Sequence, residues 1–496
     1  MSSFLDQRRA GVLLHITSLP GRGECGDLGT EAYNFVNFLH DAGVSVWQTL
    51  PLGMPHSDGS PYQCLSAHAG NPALISIDWL VDKGWIQSHD SCNDCHANHE
   101  FGKSCLIAKA FYGFQLLAEA DERESFQQFC QDRAKWLDDF AMFIALRNLF
   151  SHKSWIQWPE ALKEREPEAL SDARNLLKDV LEAIKFEQYL FFRQWQELKA
   201  YAAEKQVLLF GDIPIFVSYD SADVWANRDE FKLNSTGGMD VVAGVPPDYF
   251  SADGQRWGNP HYDWEYQQKN GFKWWLERLE TQYEMFDILR IDHFRGFEAA
   301  WEVPEQETTA INGKWVAAPG RELLATIQKA FPALALVAED LGIITEEVEA
   351  LRDEFHLPGM KILQFAFDGN NNNPYLPMNY LGNCVVYTGT HDNDTTLGWF
   401  ETLSDIEKQR VYDYLGWSSL PMPNALIHAA MASVANLAVI PMQDVLRLGS
   451  VDRMNTPGTT EGNWHWRFDW SQLTADKVSY LRHLIGLFGR QVPIGE

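Results

Sequence analysis

Leu289-Arg-Ile-Asp-His-Phe-Arg-Gly-Phe297 opens as an apolar, strand-like run and ends in charge. Successive side chains of a strand point to opposite faces, so Leu289 and Ile291 share one side while Arg290 and Asp292 share the other. An Arg and an Asp together at the end of such a run fit the rim of a barrel, where strand ends converge and leave room for polar groups. Two later runs end the same way: Leu336-Val-Ala-Glu-Asp-Leu-Gly342 and Val385-Val-Tyr-Thr-Gly-Thr-His-Asp-Asn-Asp394.

Working outward, apolar and β-branched runs recur at residues 11–16, 44–50, 207–210, 288–291, 333–338, 360–365, 384–387 and 437–442. Helical patterns such as 321–330 and 346–355 lie between the later ones, as βα units require. Eight such runs predict an α/β fold, a (β/α)8 TIM barrel, formed by residues 1–496 as a single catalytic unit. The gap after the second run is too long for one crossover. Phe129, Trp136, Phe140, Phe143 and Leu146 recur there at helical spacing, which marks a core stripe and predicts an inserted helical subdomain over about 74–204. A second insertion, about 218–285, reads as loop-like, being rich in Gly, Pro, Asp and aromatics. Long loops at the C-terminal rim of a barrel tend to carry function.

The chain has 496 residues, and its composition (45% hydrophobic, 22% charged) is that of a globular protein. A net charge of -28 argues against nucleic acid, whose binding is built from Lys and Arg. The absence of any apolar stretch of bilayer length argues against a membrane span. The N-terminal segment reads as unprocessed, and seven cysteines, an odd number, argue against a disulfide framework. A reducing cytoplasm is the expected compartment. Monomer and homodimer both remain open.

Two local matches point elsewhere. Gly21-Arg-Gly-Glu-Cys-Gly26 spells GxGxxG, but Thr17-Ser-Leu-Pro20 separates it from the preceding run, and the second run ends in Trp47-Gln-Thr-Leu-Pro51 without the acidic residue that would hold a ribose. Cys92-Asn-Asp-Cys95-His96, with His99 nearby, has zinc-ligand types, as an alternative to an unliganded polar loop. No organic cofactor or catalytic metal is otherwise called for.

The rim carboxylates suit chemistry at an anomeric carbon, which needs one carboxylate to attack and one carboxylic acid to protonate the leaving oxygen. Arg290 beside Asp292 should hold the latter ionised; alone, the pair would read as structural. Glu339 closes an uncharged run, and an apolar wall raises a carboxyl's pKa, as a general acid needs. Asp340 points the opposite way and is free to cap the next helix. Asp392 beside His391 can grip vicinal hydroxyls, while Asp394 and Thr395 suit a helix start.

These three segments resemble signatures of the 4-α-glucanotransferases, the amylomaltase or disproportionating-enzyme family, relatives of the α-amylases. So do Ser60-Pro-Tyr-Gln63, Gly211-Asp-Ile-Pro-Ile-Phe216, Pro246-Pro-Asp-Tyr-Phe250, Trp257-Gly-Asn-Pro260, and Arg453-Met-Asn-Thr-Pro-Gly458 with Asn463-Trp464. The resemblance spans essentially the whole chain. It implies Asp292 as nucleophile, Glu339 as acid/base and Asp392 as the group stabilising the transition state. Arg290 and His391 would be donors in the same subsite. Ser60 belongs to a matched segment, and Tyr62, His293, Asp368 and Asn463 would hold sugars on the donor side. Tyr249, Phe250, Gln255 and Trp257 would arch over the cleft. It further implies maltooligosaccharides and longer α-1,4-glucans as partners, retention with the two carboxyls about 5–5.5 Å apart, and no C-terminal β-domain of the amylase kind. An α-1,4-glucan hydrolase or a non-catalytic glycan-binding barrel would share much of this pattern.

Overall fold

In the computed structural model, residues 4–21, 23–88, 99–247, 251–416, 420–459 and 461–492 are described. Eight parallel strands occupy the eight apolar runs: β1 (Arg9–Leu13), β2 (Val46–Gln48), β3 (Leu208–Pro214), β4 (Ile288–Asp292), β5 (Ala335–Ala338), β6 (Gly359–Ile362), β7 (Cys384–Tyr387) and β8 (Leu437–Pro441). Their order, β6-β7-β8-β1-β2-β3-β4-β5, is that of a barrel opened between β5 and β6. There Ala338 N still donates to Pro358 O at 2.9 Å, so the sheet nearly closes. The chain is thus a TIM barrel.

Alternation sorts the core into two layers. Val46, Phe210, Ile288, Val337, Met360, Val385 and Val439 pack together inside the barrel. Their neighbours Trp47, Leu209, Leu289, Leu336, Val386 and Ala438 join the larger layer beneath the helices. Burying one such aliphatic side chain stabilises the fold by roughly 1.5–3 kcal/mol, which pins strand register wherever both faces are covered. Gly211 is required by packing: a Cβ there would stand 2.4 Å from the Phe286 ring. The seam between β8 and β1 is locked by a fully buried Arg490. Its guanidinium donates to the carbonyls of Arg9 (3.0 Å), Met431 (2.8 Å) and Ser433 (3.0 Å).

Residues 77–204, between β2 and β3, carry helices. The aromatic stripe there spans two of them, Ala120–Asp132 and Ala134–Leu149, broken at Arg133, and packs on the long helix Lys178–Glu204. Phe140, Phe143 and Leu146 are buried, while Phe129 and Trp136 are half-buried.

The segment that reads as loop-like is more ordered than its composition suggests. It holds strands Val241–Val245 and Gln255–Arg256 and helices Ala222–Ala226, Trp264–Lys269 and Lys273–Met285. The strands find partners beyond β4, in Ala299–Pro304 and Lys314–Ala317, and build a four-stranded antiparallel sheet. Composition could not show this, because the pairing is non-local.

The surroundings of the glycine match do not form a phosphate cradle. Arg467 donates to the carbonyls of Leu19 and Gly21, and a Cβ on Gly26 would stand 2.2 Å from Ile16 O. The zinc candidates Cys92, Cys95 and His96 lie outside the described residues, as does the side chain of His99. Among the described residues no group of three or more His, Cys, Asp or Glu is placed to hold a metal, and no helix is long and apolar enough to cross a membrane. Cys25, Cys64, Cys105, Cys130 and Cys384 are free thiols.

Candidate active site

Register delivers the first two carboxylates. Arg290 pairs with Asp212 on β3 and with Val337 on β5, so Asp292 at the end of β4 and Glu339 just past β5 meet on one rim. Arg290, buried, donates to Asp212 Oδ2 at 2.5 Å and to Asp292 Oδ1 at 2.8 Å. Asp212, whose side chain is sealed from solvent, also accepts from the Tyr62 hydroxyl at 2.7 Å. A guanidinium forked between two carboxylates fixes both in plane, which a lysine could not do.

Glu339 is set by the turn after β4. His293 adopts a left-handed conformation (φ 51°), costing on the order of 1 kcal/mol or more, and this aims its backbone N–H at Glu339 Oε2, 2.6 Å away. Its ring meets Trp257 edge-on with centroids 4.8 Å apart, and its buried Nε2 has no partner. Trp257 Nε1 donates to Gln255 Oε1 at 3.1 Å, so these two side chains brace each other.

Asp392 arrives on the turn after β7. Its Oδ2 lies 3.3 Å from His391 Nε2, its Oδ1 accepts from Asn455 at 2.6 Å, and its backbone carbonyl accepts from Arg453 at 3.0 Å. His391 stacks on Tyr62 (5.3 Å, 16°), joining this turn to the Asp212–Arg290–Asp292 chain. Thr395 caps the helix Thr396–Thr402 through Gly398 N, and Asp394 Oδ1 accepts from Thr395 N.

The electrostatics separate the three carboxyls. Burial pushes Glu339 up to about 8, with Arg290 opposing. Asp392 goes the other way: burial works to raise it, but His391, Asn455 and Arg290 together hold it well below the usual carboxylate range. Asp292 lies between the two. Arg290 does lower it, yet burial and the nearby Asp212 and Asp392 charges outweigh the guanidinium and push it up to about 6. Part of the Asp292 side chain stays open to solvent, and with a value of about 6 it is still mostly ionised at neutral pH.

Other residues fall less centrally. Ser60 Oγ accepts from Tyr62 N at 3.4 Å and shapes that turn. Asp368 is exposed beyond β6, its Oδ1 accepting from Asn370 N at 2.8 Å. Asn463 braces its own loop, accepting from Thr456 N and donating to Thr459. Tyr249 and Phe250 lie outside the described residues. Asp340 is no helix cap: it accepts from Met360 N at 2.6 Å and from Arg352, tying β5 to β6, and Thr345 stands at the N-cap of Glu346–Glu354. Sequence reasoning gives no site role to Asp212, Asn455 or Arg453, although the alternation that reads Arg290 also puts Asp212 on the lumen side.

A family profile described as 4-alpha-glucanotransferase matches residues 14–474. The chain belongs to the 4-alpha-glucanotransferase family. It is 48% identical to the 4-alpha-glucanotransferase of Synechocystis sp. over 98% of this chain and 99% of that one. Identity to the Thermus thermophilus 4-alpha-glucanotransferase is 49%, over 96% and 97%. Among solved structures, the amylomaltase from Streptococcus agalactiae in complex with acarbose superposes with a TM-score of 0.93 at 39% identity, covering 98% of this chain and 100% of that one. The chain is therefore a transferase acting on α-1,4-glucans, and its barrel is the amylomaltase fold.

Proposed function

We propose that this 4-α-glucan transfer is a double displacement run by Asp292, Glu339 and Asp392. The observation that carries it is two carboxyls on one rim in different settings: Asp292 is paired with Arg290 at 2.8 Å, while Glu339 is held by the His293 N–H at 2.6 Å and pushed up by burial to about 8. At neutral pH the first is a carboxylate and the second an acid, the pair that retaining chemistry requires. Asp292, held by Arg290, attacks the anomeric carbon as the Glu339 proton passes to the departing 4-oxygen. The glucosyl ester then waits while the leaving glucan departs. Glu339, now ionised, takes the proton of an incoming 4-hydroxyl, and that oxygen displaces Asp292 to restore the α-linkage. Asp392, strongly ionised and gripped by Asn455 and His391, bonds the ring hydroxyls and stabilises positive charge at the anomeric centre.

Donors and acceptors are maltooligosaccharides and longer α-1,4-glucans, with Tyr62, His391 and His293 lining the donor side. Gln255 and Trp257 cover the cleft and orient the acceptor against water. Residues 1–496 act as one catalytic barrel, with insertions at about 74–204 and 218–285. In support, each insertion leaves and re-enters on hydrogen-bonded neighbouring strands.

Incubation with maltotriose alone tests the reading. Glucose plus a ladder of longer maltooligosaccharides, with little gain in reducing ends, is expected. Reducing ends rising with no longer products would make the chain a hydrolase, and no change in a folded sample would make it a binding protein.

A further inference from the structure

Asp444 is a buried carboxyl to which the double displacement gives no part. It lies in the short helix Met442–Leu446 directly after β8, with 1% of its surface open. Among the described residues no cation is paired with it; burial pushes its pKa up, the bonds from Thr388 and Thr396 pull it back, and the Asp394 charge adds to the rise. A carboxyl buried without a countercharge is costly, so the bonds it does make are informative. Its Oδ2 accepts from the Thr388 hydroxyl at 2.5 Å and from the Thr396 hydroxyl at 2.6 Å, and its Oδ1 accepts from Thr396 N at 2.8 Å.

Both threonines are fully buried, and they bracket the turn that carries His391 and Asp392. Thr388 follows β7 directly, and Thr396 opens the helix Thr396–Thr402. One carboxyl at the end of the neighbouring strand thus gathers the start and the finish of that turn, above strands already in register, Tyr387 beside Val439. Gln364 serves the same segment, its N donating to Thr388 O at 3.2 Å and its Nε2 to Asp394 O at 2.9 Å. The Asp392 side chain is 47% open, so besides Asn455 and His391 its place depends on how firmly these ends are held. A misplacement of about 1 Å near the reacting atoms can cost about 10²-fold in rate.

We propose that Asp444 is a positioning residue for the transfer: by tying Thr388 to Thr396 it closes the base of the catalytic turn and holds Asp392 where positive charge develops. That role rests on the part given to Asp392 above. A carboxylate gripped at its tip by Asn455, on a turn locked at its base by Asp444, is preorganised for the transition state. Loosening the base should therefore lower kcat more than it raises KM.

The test compares the full chain with Asp444→Ala, Thr388→Val and Thr388→Ser. It measures kcat and KM on maltotriose, and the affinity for deoxynojirimycin, a glucose-shaped amine whose ring nitrogen carries the charge that Asp392 would meet. Asp444→Ala is expected to lower kcat about 10- to 100-fold and to weaken the amine about ten-fold, with KM within about three-fold. Thr388→Val should lose about three- to ten-fold in kcat, and Thr388→Ser, which keeps the hydroxyl, should stay within about two-fold of native. In an Asp392→Asn chain, Asp444→Ala should weaken the amine no further, because the two residues act as one unit. Where Asp444→Ala does not fold, the Thr388 pair decides. Native kcat in a folded Asp444→Ala, equal losses in Thr388→Val and Thr388→Ser, or a further loss in the Asp392→Asn chain would each overturn the role of Asp444. Native amine affinity in Asp392→Asn alone would instead refute the part given to Asp392, and this role would fall with it.

Discussion

Replacing Glu339 by Gln keeps the shape of the side chain and removes its proton from the reaction. In the native chain the competent form has Asp292 ionised and Glu339 protonated. With the pair at about 6 and 8, that form is about 80% of the enzyme at pH 7, falling to about 9% at pH 5 or pH 9. The sign follows from each group: activity rises with pH as Asp292 loses its proton and falls as Glu339 loses its own. Because the two carboxyls feel each other's charge, the limbs report the pair rather than either residue alone. In Glu339→Gln the rate on maltotriose should drop about 10²- to 10⁴-fold. First-turnover fluoride release from an α-maltosyl fluoride donor should be largely spared, since fluoride leaves without a proton, and its pH profile should lose the alkaline limb. The assay is initial fluoride release across about pH 5–9, beside glucose release from maltotriose. Equal losses on both donors, or a surviving alkaline limb, would refute the assignment of Glu339 as the acid.

Asp292→Asn should lower turnover by about 10⁴-fold or more with near-native circular dichroism, because the attacking charge goes while the shape stays; residual activity above a few per cent would move the nucleophile elsewhere. Asn455→Ala removes the 2.6 Å donor to Asp392 and should cut kcat about 10- to 100-fold, the worth of a hydrogen bond to a charged group, with KM less affected. Arg490→Met strips the guanidinium from the β8–β1 seam and should destabilise the fold by about 2–4 kcal/mol in denaturant titration, while molecules that remain folded keep native kcat.

The barrel was legible because its strands are buried on both faces and so read as uninterrupted apolar runs, whose ends the structure shifts by only a few residues. Arg290 and Asp292 could be put on the lumen side by alternation alone. What stayed hidden depends on partners distant in sequence. Asp212 looks like any residue in a Gly-Asp-Ile-Pro run until β3 sets it opposite Arg290. Val241–Val245 has no helical or alternating signature strong enough to announce a strand whose partner begins at Ala299. Asp340 fits the local rule for a cap, but Met360 N and Arg352, both brought close by the barrel, claim it. The pKa of Asp292 escapes a local reading for a related reason: one adjacent cation is visible in the sequence, whereas the burial and two further carboxylates that outweigh it belong to the folded rim.

The buried Arg490 has a consequence in time. Residue 9 can find its partner strand only after residue 437 has been made, and the seam is sealed only when residue 490 emerges. Until then a chain leaving the ribosome presents β1 with one unpaired edge, so synthesis leaves a long interval in which that edge is open to wrong pairing.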